Sequence, residues 1–267
     1  MTLLFIGDIF GKVGRDLVVR ALRPLVERYE VDLVVANAEN SAGGFGVTRE
    51  IGDALLKAGV DVMTSGNHLW DKKEVLDYIT IEPRLLRPAN YPHGVPGCGS
   101  LIARTKHGDE VGIVNVMGRV FMTAIDDPFR VAAREIERIR ERTPLVLVDF
   151  HAEATSEKIA LGWHLDGKAT AVVGTHTHVQ TADDQILPQG TAYITDVGMT
   201  GPHDGVIGVE REPVIKRFLD ALPARFESAA GNPKLHAVVV NADGETGKAK
   251  SITRLSLTKA EIESLNK

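Results

Sequence analysis

Side chains that can bind metal ions occur in five short segments, and each segment follows an apolar run. Carboxylate, amide and imidazole groups all bind divalent cations, and a pair of such cations can polarise a phosphate ester and activate water. The repetition therefore predicts a two-metal hydrolase. The segments are Gly7-Asp8, Ala38-Glu39-Asn40, Gly66-Asn67-His68, Phe150-His151 and Gly174-Thr175-His176-Thr177-His178.

The apolar runs before these segments predict buried β-strands. They are short and do not alternate with polar residues, which is typical of strands covered on both faces. In open α/β sheets, functional side chains collect at the carboxyl ends of the strands, so we expect the five segments to share one crevice. The runs are Leu3–Ile6, Leu33–Ala36, Val60–Thr64, Leu145–Val148 and Ala171–Val173.

Each segment taken alone also has an ordinary structural interpretation. His176 and His178 can face one side of a strand end, but they can equally be exposed loop histidines. Asp8 can cap a helix or form a turn, residues 38–41 can be a polar loop, and His151 can be a hydrogen-bonded core histidine. The recurrence of metal-capable groups after five predicted strands favours the metal site.

Two acidic residues and one histidine receive further predictions. Glu39 can bridge two cations, and Glu153 can accept a hydrogen bond from a ligand imidazole. His203 lies in the glycine-rich segment Asp196–Gly205, which either walls the pocket or forms a long turn. We expect the histidines outside the five segments to be solvated: His93, His107, His164, His203 and His236.

The composition excludes several classes of partner. The chain has 267 residues, with 31 Lys and Arg against 36 Asp and Glu, so its formal charge is -5. Such a chain has no long-range field that attracts nucleic acid polymers or anionic membranes. Cys98 is the only cysteine, which excludes an intramolecular disulfide, and Leu3–Ile6 is too short for a signal peptide or a membrane span. We expect a cytoplasmic protein.

The remaining pattern predicts one domain, residues 1–267, of mixed α/β class. Strand and helix alternate in the first half, and hairpin-like strands follow, which favours two mixed sheets packed face to face with helices outside. Predicted helices cover 13–29, with a kink or break at Pro24, and 49–58, 70–78, 128–142 and 214–222. Residues 83–99 form a predicted loop, 100–117 a hairpin, and further strands cover 192–195, 235–241 and 252–257.

The metal-capable segments also resemble the ordered motifs of the calcineurin-like metallophosphoesterases, from Asp8 to His178. The resemblance is closest to the YmdB-like branch, and there it extends over most of the chain. The motifs that carry it are Ala-Glu-Asn, Gly-Asn-His-x-Trp-Asp, Asp-Phe-His-Ala-Glu, Gly-Thr-His-Thr-His-Val and Thr-Asp-Val-Gly-Met-Thr-Gly-Pro. The wider superfamily has Asp-x-His in its first motif, whereas this chain has Asp8-Ile9-Phe10, and we expect Asn40 to supply the missing ligand.

The resemblance implies a four-layer α/β/β/α sandwich, a homo-oligomer and two metal ions per subunit. The first ion would be held by Asp8, Glu39, Asn40 and His178, and the second by Glu39, Asn67, His151 and His176. His68 would remain free of metal, and its position beside Asn67 predicts a general acid that protonates the leaving alkoxide after attack by a metal-bridging hydroxide.

The predicted charge of the centre favours small phosphodiesters. Two divalent ions, two carboxylates and a hydroxide leave about +1, which a phosphodiester monoanion neutralises. A monoester dianion would need an arginine, for which Arg119 is the candidate. The resemblance implies cyclic nucleotides, 2′,3′-cyclic nucleotides in particular. Oxygen and imidazole ligands favour Fe or Mn, with Zn or Mg as alternatives.

Three other functions use the same residue types. A phosphomonoesterase acting on nucleotides or phosphoproteins would differ in its pocket walls alone. A regulatory protein could bind a nucleotide at an intact metal centre with little turnover. A mononuclear oxidoreductase has matching ligand types, but the sequence contains no evident cofactor pocket.

Overall fold

The computed structural model describes residues 1–265, and their strands form two sheets. The first sheet has the order β2-β11-β12-β1-β3-β4, with β13 also paired to β12, and the second has the order β5-β6-β7-β8-β10-β9. In chain order the strands are β1 (Thr2–Ile6), β2 (Asp8–Ile9), β3 (Leu33–Asn37), β4 (Val62–Thr64), β5 (Ser100–Arg104), β6 (Glu110–Met117), β7 (Val146–His151), β8 (Ala171–Thr175), β9 (Gln185–Ile186), β10 (Ala192–Ile194), β11 (Met199–Pro202), β12 (Pro233–Ala242) and β13 (Ala249–Thr258).

The helices begin and end largely where local signals place them. Thr48 caps α2 through a hydrogen bond from the Ile51 amide, and Gly59 ends that helix with a φ of 110°. Asp127 caps α4, with Pro128 in its first turn. The helices are α1 (Gly11–Tyr29), α2 (Arg49–Ala58), α3 (Val75–Ile81), α4 (Pro128–Arg140), α5 (Thr155–Leu165), α6 (Arg211–Asp220) and α7 (Lys259–Leu265).

Residues of β1 show why the strand runs are apolar on both faces. Leu3 and Phe5 enter a core shared by the two sheets, whereas Leu4 and Ile6 pack in a second core against residues of α1 and α2. A third core lies between the second sheet and the helices α4 and α5. The predicted mixed α/β fold, a four-layer α/β/β/α sandwich, is confirmed.

Parallel pairing brings the carboxyl ends of the predicted strands to one edge of each sheet. In the first sheet β1 pairs with β3 and β3 with β4, all in parallel. In the second sheet β6, β7 and β8 are also parallel neighbours. The predicted hairpin over 100–117 is present as the antiparallel pair β5 and β6.

Three local predictions were wrong or incomplete. The helix predicted over 70–78 is instead a short 3-10 helix, Leu69–Asp71, followed by α3, because the His68 ring bonds Asp71 and closes a tight turn. Helix α1 continues through Pro24 without a break. The elements α5, α7, β9 and β11 were not predicted.

The structure describes seven α-helices within residues 1–265. None of them is long and apolar enough to cross a membrane.

Gly174→Ala should reduce the free energy of unfolding by about 1–3 kcal/mol or more, because a Cβ there would lie 1.8 Å from the Thr195 carbonyl oxygen. Urea unfolding followed by circular dichroism measures the change. Gly244→Ala is the matched control, since a Cβ at Gly244 meets no atom within 4 Å. Equal stability of the two variants would show that the chain accommodates the added methyl group.

Candidate metal centre

All five metal-capable segments converge at one edge of the sandwich. Three come from the first sheet, where Asp8 opens β2 and the other two segments follow β3 and β4. The second sheet supplies His151 at the end of β7 and the His-x-His segment after β8. The side chains brought together are those of Asp8, Glu39, Asn40, Asn67, His151, His176 and His178.

Four potential ligand atoms surround one point beside His151. The Nε2 atom of His151 lies 3.0 Å from Glu39 Oε1, 3.0 Å from Asn67 Oδ1 and 3.0 Å from His176 Nδ1. A single ring nitrogen cannot donate a proton to three acceptors, whereas one cation can bind all of these atoms. Glu39, His151 and His176 have ligand atoms within 4.8 Å of one another, so this group can hold a metal ion.

Polar groups contact the outer nitrogen of two histidine rings, on the side away from this cluster. His151 Nδ1 lies 3.0 Å from Thr175 Oγ1, which in turn donates to Asp149 at 2.7 Å. His176 Nε2 lies 3.1 Å from Glu153 Oε2, the contact that the sequence predicted for Glu153. Each outer nitrogen is thereby placed to carry the proton, which leaves the inner nitrogen free to bind a metal.

A second group lies around Asp8. Its Oδ2 accepts a hydrogen bond from the His176 amide, but its buried Oδ1 has no hydrogen-bond partner among the described residues. His178 Nε2 lies 3.8 Å from that oxygen and 3.3 Å from Asn40 Oδ1, while its Nδ1 lies 2.9 Å from the Ile207 carbonyl. An unpaired buried carboxylate oxygen is costly, so a cation fits this position.

The electrostatics of the centre also favour a bound cation. Burial raises the pKa of Asp8 well above its usual value. Burial would lower the pKa of His151, but the carboxylates of Glu39 and Asp8 outweigh it and raise that pKa to about 9. The carboxylates therefore attract positive charge, and a proton on His151 supplies it in the metal-free chain.

The two histidines of the His-x-His segment have an unfavourable backbone conformation. The φ angles are 99° at His176 and 65° at His178, in the left-handed region that side chains with a Cβ rarely adopt. Between them, Thr177 donates both its amide and its hydroxyl to Asp196 Oδ2, at 3.1 and 2.8 Å. Asp196 therefore holds this loop in the conformation that presents both rings to the centre.

Lys158 completes the support of this loop. Its ammonium group is buried, donates to Asp196 Oδ2 at 2.6 Å and donates to the Thr175 carbonyl at 2.7 Å. The sequence prediction missed this lysine, because no helix was predicted over Thr155–Leu165 and nothing in the local pattern marks Lys158 as buried. Asp196 was assigned to a pocket wall or turn, and its motif gave no signal for the ion pair.

His68 stands beside the metal ligands rather than among them. Its amide donates to Glu39 Oε2 at 3.0 Å, and its ring Nδ1 lies 2.8 Å from Asp71 Oδ2. The ring packs edge-on against Phe45, with centroids 5.0 Å apart, and lines a cavity of about 860 Å³ that opens onto the centre. Asp71 thus occupies Nδ1 and leaves Nε2 as the ring nitrogen available to a ligand in the cavity.

The cavity walls differ from the sequence prediction. Among the described residues, none from the segment Asp196–Gly205 lines the cavity, and the segment Val206–Phe226 supplies eight of its lining residues instead. His203 packs against His236, with ring centroids 4.6 Å apart, and His236 is buried, so the prediction that His236 is solvated was wrong. Arg119 pairs with Asp127 at 3.1 Å and does not line the cavity.

Asp196→Asn should lower the affinity for Mn²⁺ by about 10–100-fold. Substitution of a residue that orients metal ligands typically lowers the metal affinity by this factor. Isothermal titration calorimetry on the metal-free protein measures the affinity, and urea unfolding reports the stability separately. The control is Asp184→Asn, which removes a carboxylate from an ion pair with Arg254 away from the cavity. Unchanged Mn²⁺ affinity would show that Asp196 does not position the loop.

Comparison with known proteins agrees with the motif resemblance. The family described as YmdB-like protein matches residues 4–255. A Bacillus subtilis protein named 2′,3′-cyclic-nucleotide 2′-phosphodiesterase is 51% identical over 255 residues, which cover 96% of each chain. A Mycoplasma pneumoniae protein named putative phosphatase/phosphodiesterase is 38% identical, over 92% of this chain and 89% of its own.

Two solved structures share the fold over almost the whole chain. One, a hypothetical protein from Thermus thermophilus, has a TM-score of 0.89 at 44% identity, covering 97% of this chain and 99% of its own. The other, described as a novel phosphatase from Mycoplasma pneumoniae, has a TM-score of 0.89 at 36% identity, covering 97% and 93%. The sequence, the fold and the convergent ligand cluster agree, and the chain belongs to the YmdB-like family.

Proposed function

We propose that this protein is a metal-dependent phosphodiesterase that hydrolyses small phosphodiesters, 2′,3′-cyclic nucleotides in particular. The observation that carries the proposal is the position of His151 Nε2, which has three ligand atoms of Glu39, Asn67 and His176 at 3.0 Å. The name of the Bacillus subtilis relative supports the substrate class.

Two metal ions would be held by ligands from both sheets. The unpaired Oδ1 of Asp8 and the facing Nε2 of His178 support one position, and the cluster around His151 supports the other. Glu39 has one oxygen in the cluster around His151 and directly precedes Asn40 of the other group, so it would bridge the two positions. The proposed sets are Asp8, Glu39, Asn40 and His178 for the first ion, and Glu39, Asn67, His151 and His176 for the second. Oxygen and imidazole ligands favour Fe or Mn, with Zn or Mg as alternatives.

The side chains around the ions would position and protonate the substrate. Bound divalent ions supply positive charge to the phosphate oxygens and lower the pKa of an attacking water. His68 would then transfer a proton to the leaving alkoxide from its Nε2 atom. Asp71 accepts from Nδ1 and so orients the ring, while the bond from the His68 amide to Glu39 fixes the backbone beside the centre.

The charge of the cavity favours a phosphodiester. Two divalent ions, two carboxylates and an attacking hydroxide would leave a charge of about +1, which a monoanionic diester neutralises. Arg119, the arginine considered for a dianionic monoester, is bound to Asp127 outside the cavity. Arg217 lines the cavity but lies over the Phe226 ring at 5.4 Å.

A phosphomonoesterase acting on nucleotides or phosphoproteins is the second candidate. The names phosphatase and phosphodiesterase both occur among the relatives, which favours testing it. Initial rates of the Mn-loaded protein on a phosphodiester and on its matching monoester separate the two activities. A regulatory protein that binds metals and nucleotide with little turnover is the third candidate, and it predicts no rate above the background.

A cytoplasmic location and a homo-oligomeric state remain predictions. The first follows from the lone cysteine, which implies no oxidising compartment, and the second from the family resemblance. The composition also keeps nucleic acid polymers and membranes outside the proposed partners.

Glu39→Gln should remove metal and activity together, because it neutralises the carboxylate shared by both proposed ligand sets. We expect the metal affinity to fall by more than about 10–100-fold, the loss typical for a residue that only orients a ligand. Metal analysis by mass spectrometry and turnover of 2′,3′-cyclic AMP measure the two effects. Glu50→Gln, at an exposed position of α2, is the control. A variant that keeps both ions and full turnover contradicts the role of Glu39.

His68→Asn should keep the metals and lower kcat by about 10²–10⁴-fold on 2′,3′-cyclic AMP, because a general acid contributes that much. The loss should be much smaller on a p-nitrophenyl phosphodiester, since p-nitrophenolate leaves without a proton. Steady-state kinetics on both substrates test this difference. His93→Asn, at an exposed loop position, is the control. Equal losses on both substrates would exclude proton donation by His68.

A further inference from the structure

The cavity beside the metal centre has two chemically different sides. One side carries the polar groups of the centre, including Glu39, His68 and His178. The other side, which we call the apolar wall, is lined by Phe10, Val206, Val209, Val214 and Phe226. The wall residues pack together with Met199 as a separate apolar cluster. A ligand that fits this cavity has one charged group and one flat or apolar part.

Phe10 connects the wall to the centre. It lies just before α1, and its ring packs edge-on against His178 with centroids 5.6 Å apart. A Cβ atom on any of three surrounding glycines, Gly44, Gly201 and Gly208, would approach the Phe10 side chain to 2.8–2.9 Å. The three glycines therefore hold an aromatic surface next to a proposed metal ligand, at the position where the first motif has no ligand histidine.

The rest of this side of the cavity has few side chains that could form hydrogen bonds with the edge of a base. Among the described residues of the segment 206–226 that line the cavity, Arg217 is the only one with a polar side chain. Its guanidinium lies over the Phe226 ring at 5.4 Å, so it extends an aromatic surface. Bases of every type stack on such surfaces, because each has a π-face.

We propose that the apolar wall binds the nucleoside part of the substrate and packs against the base without selecting one base. This inference rests on the proposed function for the phosphate end of the same molecule. An apolar pocket discriminates weakly between ligands, whereas a pocket of hydrogen-bonding side chains rejects the wrong ligand strongly. The enzyme should therefore prefer nucleotides to cyclic phosphates without a base and should accept purines and pyrimidines alike.

The experiment compares three cyclic phosphates with the same reacting ring. These are 2′,3′-cyclic AMP, 2′,3′-cyclic CMP and glycerol 1,2-cyclic phosphate, which has no base. One variant, Phe226→Ala, changes a half-buried residue of the wall. The other, Phe218→Ala, changes a neighbouring cavity residue whose side chain is 84% exposed and cannot be needed for folding. Phe121→Ala is the matched control, because Phe121 is 90% exposed and does not line the cavity.

The Mn-loaded protein should have at least about tenfold higher kcat/KM on both nucleotides than on the base-free substrate. Phe226→Ala should remove about tenfold of that preference, with a smaller loss for Phe218→Ala and none for Phe121→Ala. The two nucleotides should differ by less than about tenfold. A wall variant that lowers all three rates equally, or wild-type rates without a nucleotide preference, would overturn the inference while the phosphodiesterase function stands.

A binding measurement keeps the inference separate from turnover. Isothermal titration calorimetry compares adenosine 3′-monophosphate with glycerol phosphate on the same Mn-loaded proteins. The nucleotide should bind at least about tenfold more tightly, and Phe226→Ala should remove this difference. That result supports the proposed role of the apolar wall even if no substrate is hydrolysed. Absence of all hydrolysis would overturn the proposed function, and equal binding of the two ligands would overturn the proposed role of the wall.

Discussion

Four buried carboxylates at one edge of the sandwich govern the rest of this structure: Asp8, Glu39, Asp149 and Asp196. Burial of an ionised carboxylate is costly unless positive charge or hydrogen-bond donors surround it. Asp196 has the ammonium of Lys158, and Asp149 has the hydroxyl of Thr175. Asp8 and Glu39 both face His151, and Asp8 keeps one oxygen without a donor among the described residues. The negative charge of Asp8 and Glu39 is therefore not fully compensated, and a cation fits beside these two residues.

The support of the ligands is as important as their identity. The backbone of His176 and His178 is strained, and such strain persists only when the surroundings determine the conformation. Asp196 and Lys158 hold the loop in this conformation through hydrogen bonds to the loop and to the end of β8. At the strand ends, glycines allow close approach: a Cβ at Gly66 would lie 2.0 Å from the His151 ring. The centre thus depends on groups that bind no metal.

The residues proposed to carry out the reaction and those proposed to recognise the ligand lie on different sides of the cavity. Residues at the strand ends bear charge and protons, and the apolar wall comes largely from a later segment that includes α6. Phe10 belongs to both, since it follows Asp8 by two residues and contacts His178. A change in the segment 206–226 could therefore alter the preferred ligand without any change in the proposed metal ligands.

The sequence by itself determined the α/β class, the strands with apolar residues on both faces and the set of metal-capable residues at their ends. These features are local, because strand burial and the positions of Glu39 or His151 follow from short runs of residue types. Only the tertiary structure decided that Lys158 supports Asp196, that Asp71 orients His68 and that residues 206–226 line the cavity. Lys158 and Asp196 are 38 residues apart, and the wall segment lies beyond all the motifs. Such contacts depend on how distant elements pack, and no local pattern of hydrophobicity or charge specifies that packing.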